Sequence, residues 1–173
     1  IYRILKRNNR RYTDSYTHTQ KQWKKKLFSH LTPGFELQMD IIYPFGYKQG
    51  RVIYTAVDDA SRWVFAWSYE IANASNTVDF IKRPQTHSPF CIQKIHTDYG
   101  KEFIARTVEG HLLTQSIVHR RNTPYCPEEN GKIERFHRTL NEKALRFGFH
   151  SEDSLDTTQY KLNLFLGYYN HEK

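Results

Sequence analysis

The sequence has little that would staple it or anchor it. Its 173 residues include two cysteines, Cys91 and Cys126. Two thiols cannot build a disulfide framework, and these lack the paired spacing of a zinc site. A reducing, cytoplasmic compartment is the default expectation. No apolar run approaches the ~18 residues of a membrane-spanning helix, which leaves no expectation of membrane association. The chain starts on Ile1 rather than Met, which reads as a piece of a longer protein. Its basic start is not followed by the apolar core of a signal peptide. No internal repeat is visible.

Acidic residues are nearly missing from one region. Residues 1–26 hold nine lysines and arginines against Asp14 alone, so they carry the whole net charge of +8. The remaining 17 basic and 17 acidic residues cancel. A basic arm on a neutral domain points to a polyanion, most often nucleic acid. Aromatics are plentiful, at 15% of the chain with 12 Tyr and 11 Phe, which is enough to build a core and argues against disorder.

The expected organisation follows from local pattern. Ile1–Asn9 reads as the end of a helix, a remnant of a helix-turn-helix unit. Residues 10–32 read as a linker, and Thr32-Pro33-Gly34 opens the folded domain at about residue 33. Glu36–Tyr43, Arg51–Val57 and Arg62–Tyr69 read as strands joined by short connections, hence an antiparallel meander. A helix near Ser75–Arg83, capped by Ser75 or Asn76, is followed by a loop over Pro84–Pro89. Then come a strand at Ile92–Thr97, a helix at Glu102–Gln115, a strand at Ile117–Arg120, a long helix from about Glu128 to Phe147 and a last helix near Leu155–Tyr169. This order gives an α/β fold with a mixed sheet and helices on its faces.

Three carboxylates stand out. Asp40 interrupts an apolar strand, where a carboxylate is costly unless paired or bound to a cation. Asp98 ends the fourth strand beside Gly100. Glu134 lies in the long helix, off the apolar stripe of Ile133, Phe136, Leu140, Ala144 and Phe147. Asn130, Arg138 and Asn141 fall on the side of Glu134, at offsets of −4, +4 and +7, and would suit a phosphate backbone. Strands one and four can lie side by side with the long helix across their open end, so the three acids could meet and hold one or two Mg²⁺ or Mn²⁺ ions.

Other candidates have plainer readings. Asp58 and Asp59 read as turn formers and Glu102 as a helix start near the dipole. His96 and His137 could each line the site but read more plainly as structural or solvated, Arg120 and Arg121 as ion-paired or phosphate-facing, and Trp63 and Trp67 as core or interface. Cys126 has no partners that would make it a nucleophile.

The segments QMD around Asp40, HTDYGKEF around Asp98 and PYCPEENGKIERFHRTL around Glu134, with YTAVDDASR and a closing YYN, resemble the catalytic core of the DDE transposases and retroviral-type integrases. The nearest resemblance is to bacterial insertion-sequence transposases, and it runs from about Gly34 to Asn170. Thirty-five residues separate Asp98 from Glu134, the interval of that family. Tyr99 and Lys173 depart from the usual pattern without removing a ligand. The resemblance implies an RNase H-like fold of five mixed strands, with Asp40, Asp98 and Glu134 as the metal-binding triad. It also implies Mg²⁺ or Mn²⁺, two ions in the active complex, and cleavage and transfer of DNA strands by a homo-oligomer on paired DNA ends. Arg138, Asn141, Asn130, Lys132 and Arg121 are the DNA-contact candidates. The rival expectations are a ribonuclease H, for which Asp79 is the sole extra carboxylate, and a non-catalytic DNA-binding descendant of a transposase.

Overall fold

The computed structural model describes residues 30–46, 51–124, 126–144 and 148–172. The basic arm, the helix remnant expected at Ile1–Asn9, nearly all of the expected linker and Lys173 lie outside them. Strands β1 (Leu37–Ile42), β2 (Val52–Asp58) and β3 (Val64–Tyr69) are antiparallel neighbours. Strands β4 (Lys94–Thr97) and β5 (Val118–Arg121) continue the sheet parallel to β1, giving the order β3-β2-β1-β4-β5. Four helices lie among the described residues: α1 (Ala74–His87), α2 (Arg106–Thr114), α3 (Gly131–Ala144) and α4 (Leu155–Glu172). A 3-10 turn at Pro127–Asn130 leads into α3. The mixed five-stranded α/β arrangement is the one expected.

Strand alternation distributes the core between two faces. Leu37 and Met39 of β1, Tyr54 and Ala56 of β2 and Phe65 of β3 pack with Phe80 and Ile81 of α1 and Val108 and Leu112 of α2. Trp63 and Trp67 flank Phe65 in a stacked row on that face, half-buried against the same core. The other face carries Ile53, Val57, Val64 and Ala66, which meet Ile133, Phe136 and Leu140 of α3 and Leu162, Phe165 and Leu166 of α4. Gln38 and Asp40 belong by alternation to this second face. With helices on both sides, β1 has no watery face, which is why its apolar alternation is imperfect in the sequence.

The edge strand β3 is closed by side chains of α4. Asn170 accepts from the Val64 amide and donates to its carbonyl, both at 2.9 Å, while Gln159 accepts from the Ser68 amide at 2.8 Å. These bonds replace the neighbouring strand that an edge lacks.

Three expected boundaries are corrected. Helix α1 runs through Pro84 to His87, because Thr77, Phe80, Ile81 and Pro84 are all buried on one side and that packing outweighs the missing Pro84 N–H. Its cap is Asn73, whose side chain accepts from the Asn76 amide at 2.8 Å, rather than Ser75 or Asn76. Helix α2 begins at Arg106, not Glu102, because Phe103 and Ile104 both donate to the Gly100 carbonyl in a separate turn that buries Phe103.

Replacing Phe136 by alanine should cost about 3–5 kcal/mol of unfolding free energy, since the ring is fully buried. The exposed Arg138→Ala should stay within about 0.5 kcal/mol. Asn170→Ala strands both polar groups of Val64 and should cost about 1–3 kcal/mol. Urea unfolding of the three variants measures all of these.

Candidate active site

Parallel pairing places the first two carboxylates together. Gln38 of β1 stands opposite His96 of β4. Asp40 lies two residues further along β1 and Asp98 directly follows the last residue of β4, so both stand at the same end of the paired strands. Helix α3 packs across β1 and β2 on the face of Asp40 and carries Glu134 in its first turn.

Asp40 is the most perturbed of these acids. Its Oδ1 accepts from the Ile41 amide at 2.7 Å. Burial pushes its carboxyl up to about 7, against the pull of that hydrogen bond, and the charges of Asp98, Glu102 and Glu134 push the same way. Three carboxylates thus act on a fourth. Around Asp98 the geometry is tight: its Oδ1 accepts from the Gly100 amide at 2.8 Å. A Cβ at position 100 would lie 2.8 Å from Glu102 Oε1 and 3.1 Å from Asp98 Oδ1, so the two carboxylates share the space that glycine leaves free.

His137 borders the site from α3. Its Nδ1 is 3.8 Å from Asp40 Oδ2, and its Nε2 is 2.7 Å from Thr55 Oγ1. The Thr55 hydroxyl proton goes to the Asp40 carbonyl at 3.0 Å, so Nε2 must be the donor to Thr55, which leaves Nδ1 bare toward Asp40. Burial pushes this imidazole down to about 4, which keeps it neutral.

The chain matches known proteins in both sequence and shape. Residues 31–127 match the family described as integrase core domain, and residues 115–173 match a second integrase core domain description. The chain belongs to the integrase core domain family. It is 29% identical over 159 residues to a putative integrase ORF3 of Spiroplasma virus SpV1-C74, covering 79% of this chain and 43% of that protein. It is 34% identical over 94 residues to the Pol polyprotein of equine infectious anemia virus (isolate 1369), covering 54% of this chain and 8% of that protein. The chain therefore spans less than half the length of these relatives. Among solved structures it resembles a simian T-cell lymphotropic virus intasome in complex with PP2A regulatory subunit B56 gamma. The TM-score is 0.73, at 23% identity over 84% of this chain and 51% of that one. The catalytic core domain of BIV integrase aligns with a TM-score of 0.66, at 23% identity over 81% and 86% of the two chains. The fold is RNase H-like.

In this integrase core the remaining predicted residues divide by face. Arg138 and Asn141 are exposed on α3, and Asn130 is half-buried at the end of the 3-10 turn. Lys132 pairs with the Asp59 carboxylate and donates to the Asp59 carbonyl at 3.1 Å, which draws it toward the β2–β3 turn. Arg121 alternates onto the opposite face of β5 and pairs with Glu109 of α2, so it does not join the α3 side. Asp58 is a turn former as expected, accepting from the Gly34 amide, the Ser61 amide and the Ser61 hydroxyl, whereas the Asp59 carboxylate accepts from the His30 amide at 2.7 Å and pairs with Lys132. Glu102, read as a helix start, is the neighbour that the sequence reading missed, whereas His137 takes the site-lining place that was the lesser of its readings. The glycine two residues before Glu102 was the available signal.

Oxygen-only carboxylate donors suit Mg²⁺ or Mn²⁺, and the mutual repulsion at Asp40 is what a cation would relieve. Among the described residues, no three His, Cys, Asp or Glu side chains are drawn tightly enough to hold a metal by themselves. The donor set fits a divalent ion in chemistry, as an open site.

Because the Asp40 carboxyl is raised from 3.8 to about 7 in the folded chain, folding opposes its ionisation. Stability from this group is full below pH 4 and falls as pH rises toward 7. In EDTA, Asp40→Asn should therefore match the wild type near pH 4 and exceed it above pH 7. The gain should be at most about 4 kcal/mol, at about 1.4 kcal/mol per pKa unit. Urea unfolding across that pH range checks it.

Proposed function

We propose that this chain carries the metal-dependent catalytic centre for cutting DNA strands and joining them to new partners, as in DNA integration or transposition. The observation that carries the reading is the half-buried Asp40, whose carboxyl is raised in part by the charges of Asp98, Glu102 and Glu134, within an integrase core fold. Asp40 and Asp98 would hold one divalent ion, and Glu134 would help to hold a second. Bound ions supply Lewis acidity: they favour the nucleophilic form of water or a DNA 3′-hydroxyl and offset charge on the leaving oxygen. The chain's own work is positional. Adjacent strands fix the spacing of the two aspartates, Gly100 keeps their surroundings open, and Arg138 and Asn141 offer the exposed α3 face to the DNA backbone. No covalent enzyme intermediate is required. The putative integrase of Spiroplasma virus and the retroviral intasome support DNA as partner and a homo-oligomer as the active form.

A ribonuclease H would need a further carboxylate on α1. Asp79, the sole candidate there, accepts instead from Tyr69 Oη at 2.6 Å and Arg83 Nε at 2.8 Å, which favours strand transfer.

Asp40→Asn, Asp98→Asn and Glu134→Gln should each remove cleavage and strand transfer in Mg²⁺ and leave DNA binding in place. Pairs of these changes should be no worse than single ones, because one missing ligand already disables the site. Gel assays on labelled duplexes decide it. Near-normal turnover in any one variant would strip that residue of its role. Intact binding without turnover in the wild type would favour a DNA-binding descendant.

A further inference from the structure

One step below the carboxylates lies a second row of polar side chains. Gln38 of β1, His96 of β4 and Arg120 of β5 stand opposite one another in register. By alternation they share the face that carries Asp40 and Asp98. Glu36 lies two residues before Gln38 on the same side and is buried. Apolar packing from α3 does not cover this part of the sheet. The 3-10 turn at Pro127–Asn130 covers it, and that turn is the entry to the helix bearing Glu134.

The contacts join row to turn at several points. The Gln38 amide donates from Nε2 to the Glu129 carbonyl at 3.1 Å and accepts at Oε1 from the Ile133 amide at 3.3 Å. A single planar group thus grips the helix entry on both sides of Gly131, and Ile133 immediately precedes Glu134. The Arg120 fork reaches Glu36 through Nη1 at 3.2 Å and Glu129 through Nη2 at 3.3 Å. Glu129 also accepts from the Thr123 amide at 2.8 Å and the Thr123 hydroxyl at 2.9 Å, which folds the segment from β5 back over the sheet. His96 fills the space between the two acids, 3.3 Å from Glu36 and 3.9 Å from Glu129.

Such a cluster is a poor device for stability alone. Desolvation offsets much of the attraction in a buried ion group, and apolar residues of equal volume often serve as well. Its distinctive property is direction. Apolar packing of Ile133 and Phe136 holds α3 against the sheet but tolerates small rotations and slides. Two hydrogen bonds from one amide and a guanidinium fork do not. Burial would push the Glu36 carboxyl up, but His96, Arg120 and Lys94 beside it hold it down to about 2. The anion that anchors Arg120 is therefore permanent at working pH.

We propose that Gln38 and Arg120 are positioning residues that act through Glu129 and the first turn of α3 to set Glu134 over Asp40 and Asp98. This rests on the reading of those three acids as metal ligands. Losing a partner that orients a metal ligand typically weakens metal affinity or activity roughly 10–100-fold.

The test is Mn²⁺ affinity of the folded protein, read from the free Mn²⁺ signal in electron paramagnetic resonance with a DNA duplex present. Wild type, Gln38→Met, Arg120→Met and Asp98→Asn are compared, with DNA affinity in EDTA and thermal melting measured alongside. Gln38→Met and Arg120→Met should each bind Mn²⁺ roughly 10–100-fold more weakly while binding DNA as the wild type does. Their combination should be less than additive, since both act on one turn. A merely structural role would lower the melting temperature and leave Mn²⁺ affinity of the folded fraction unchanged. If Gln38→Met does not fold, Arg120→Met, at the partly exposed end of the cluster, carries the comparison. Wild-type Mn²⁺ affinity in both positioning variants, with affinity lost in Asp98→Asn, would overturn the positioning role alone. Equal affinity in wild type and Asp98→Asn would overturn the metal reading and the positioning role together.

Discussion

A carboxylate on the central strand of a sheet covered on both faces is hard to ionise, and the surroundings of Asp40 are organised around that difficulty. Burial raises its carboxyl to about 7, and Asp98, Glu102 and Glu134 add to the effect rather than oppose it. The nearest base, His137, is itself held neutral by burial. No side-chain cation is paired with Asp40 among the described residues. A fold that gathers four acids in this way stores electrostatic repulsion that a divalent cation would relieve. That imbalance distinguishes this group from the balanced one beneath it, where Glu36 is met by Arg120 and Lys94 and Glu129 by Arg120.

The two groups divide the labour along β1. Glu36 and Gln38 are satisfied and fix structure, whereas Asp40, one pleat further on, is left in want of a cation. The matching step on the neighbouring strand runs from His96, within β4, to Asp98, just past its end. A strand pair therefore carries both a satisfied polar row and the row of aspartates proposed as metal ligands, with only two residues between them. Helix α3 obeys the same economy, since Ile133 and Phe136 hold it to the sheet while Glu134, one position from the first, stays at the surface.

Much of this was legible in the sequence. Asp40 was conspicuous because it breaks an apolar strand, and Asp98 because Gly100 follows it. The β-branched and aromatic runs fixed three antiparallel strands, and the apolar stripe of α3 placed Glu134 off the buried side. What was not legible depended on pairing. Apart from Gly100 itself, nothing local shows that Glu102 folds back over that glycine, because its neighbours have helical character and the helix start is displaced by the turn that buries Phe103. The sequence left His137 between lining the site and a structural or solvated role because the Thr55 that engages it lies 82 residues away in sequence. Arg120 and Arg121 are adjacent and identical in type. Strand alternation alone sends one to Glu36 and the other to Glu109, and alternation cannot be assigned before the faces are known.

The measurement that bears most directly on this account is an anomalous difference map from crystals grown or soaked in Mn²⁺. The account predicts a peak bridging Asp40 and Asp98, within about 2.0–2.6 Å of a carboxylate oxygen of each, and strengthened by bound DNA. A map with manganese elsewhere, or none beside these two aspartates at saturating Mn²⁺ with DNA bound, would contradict it.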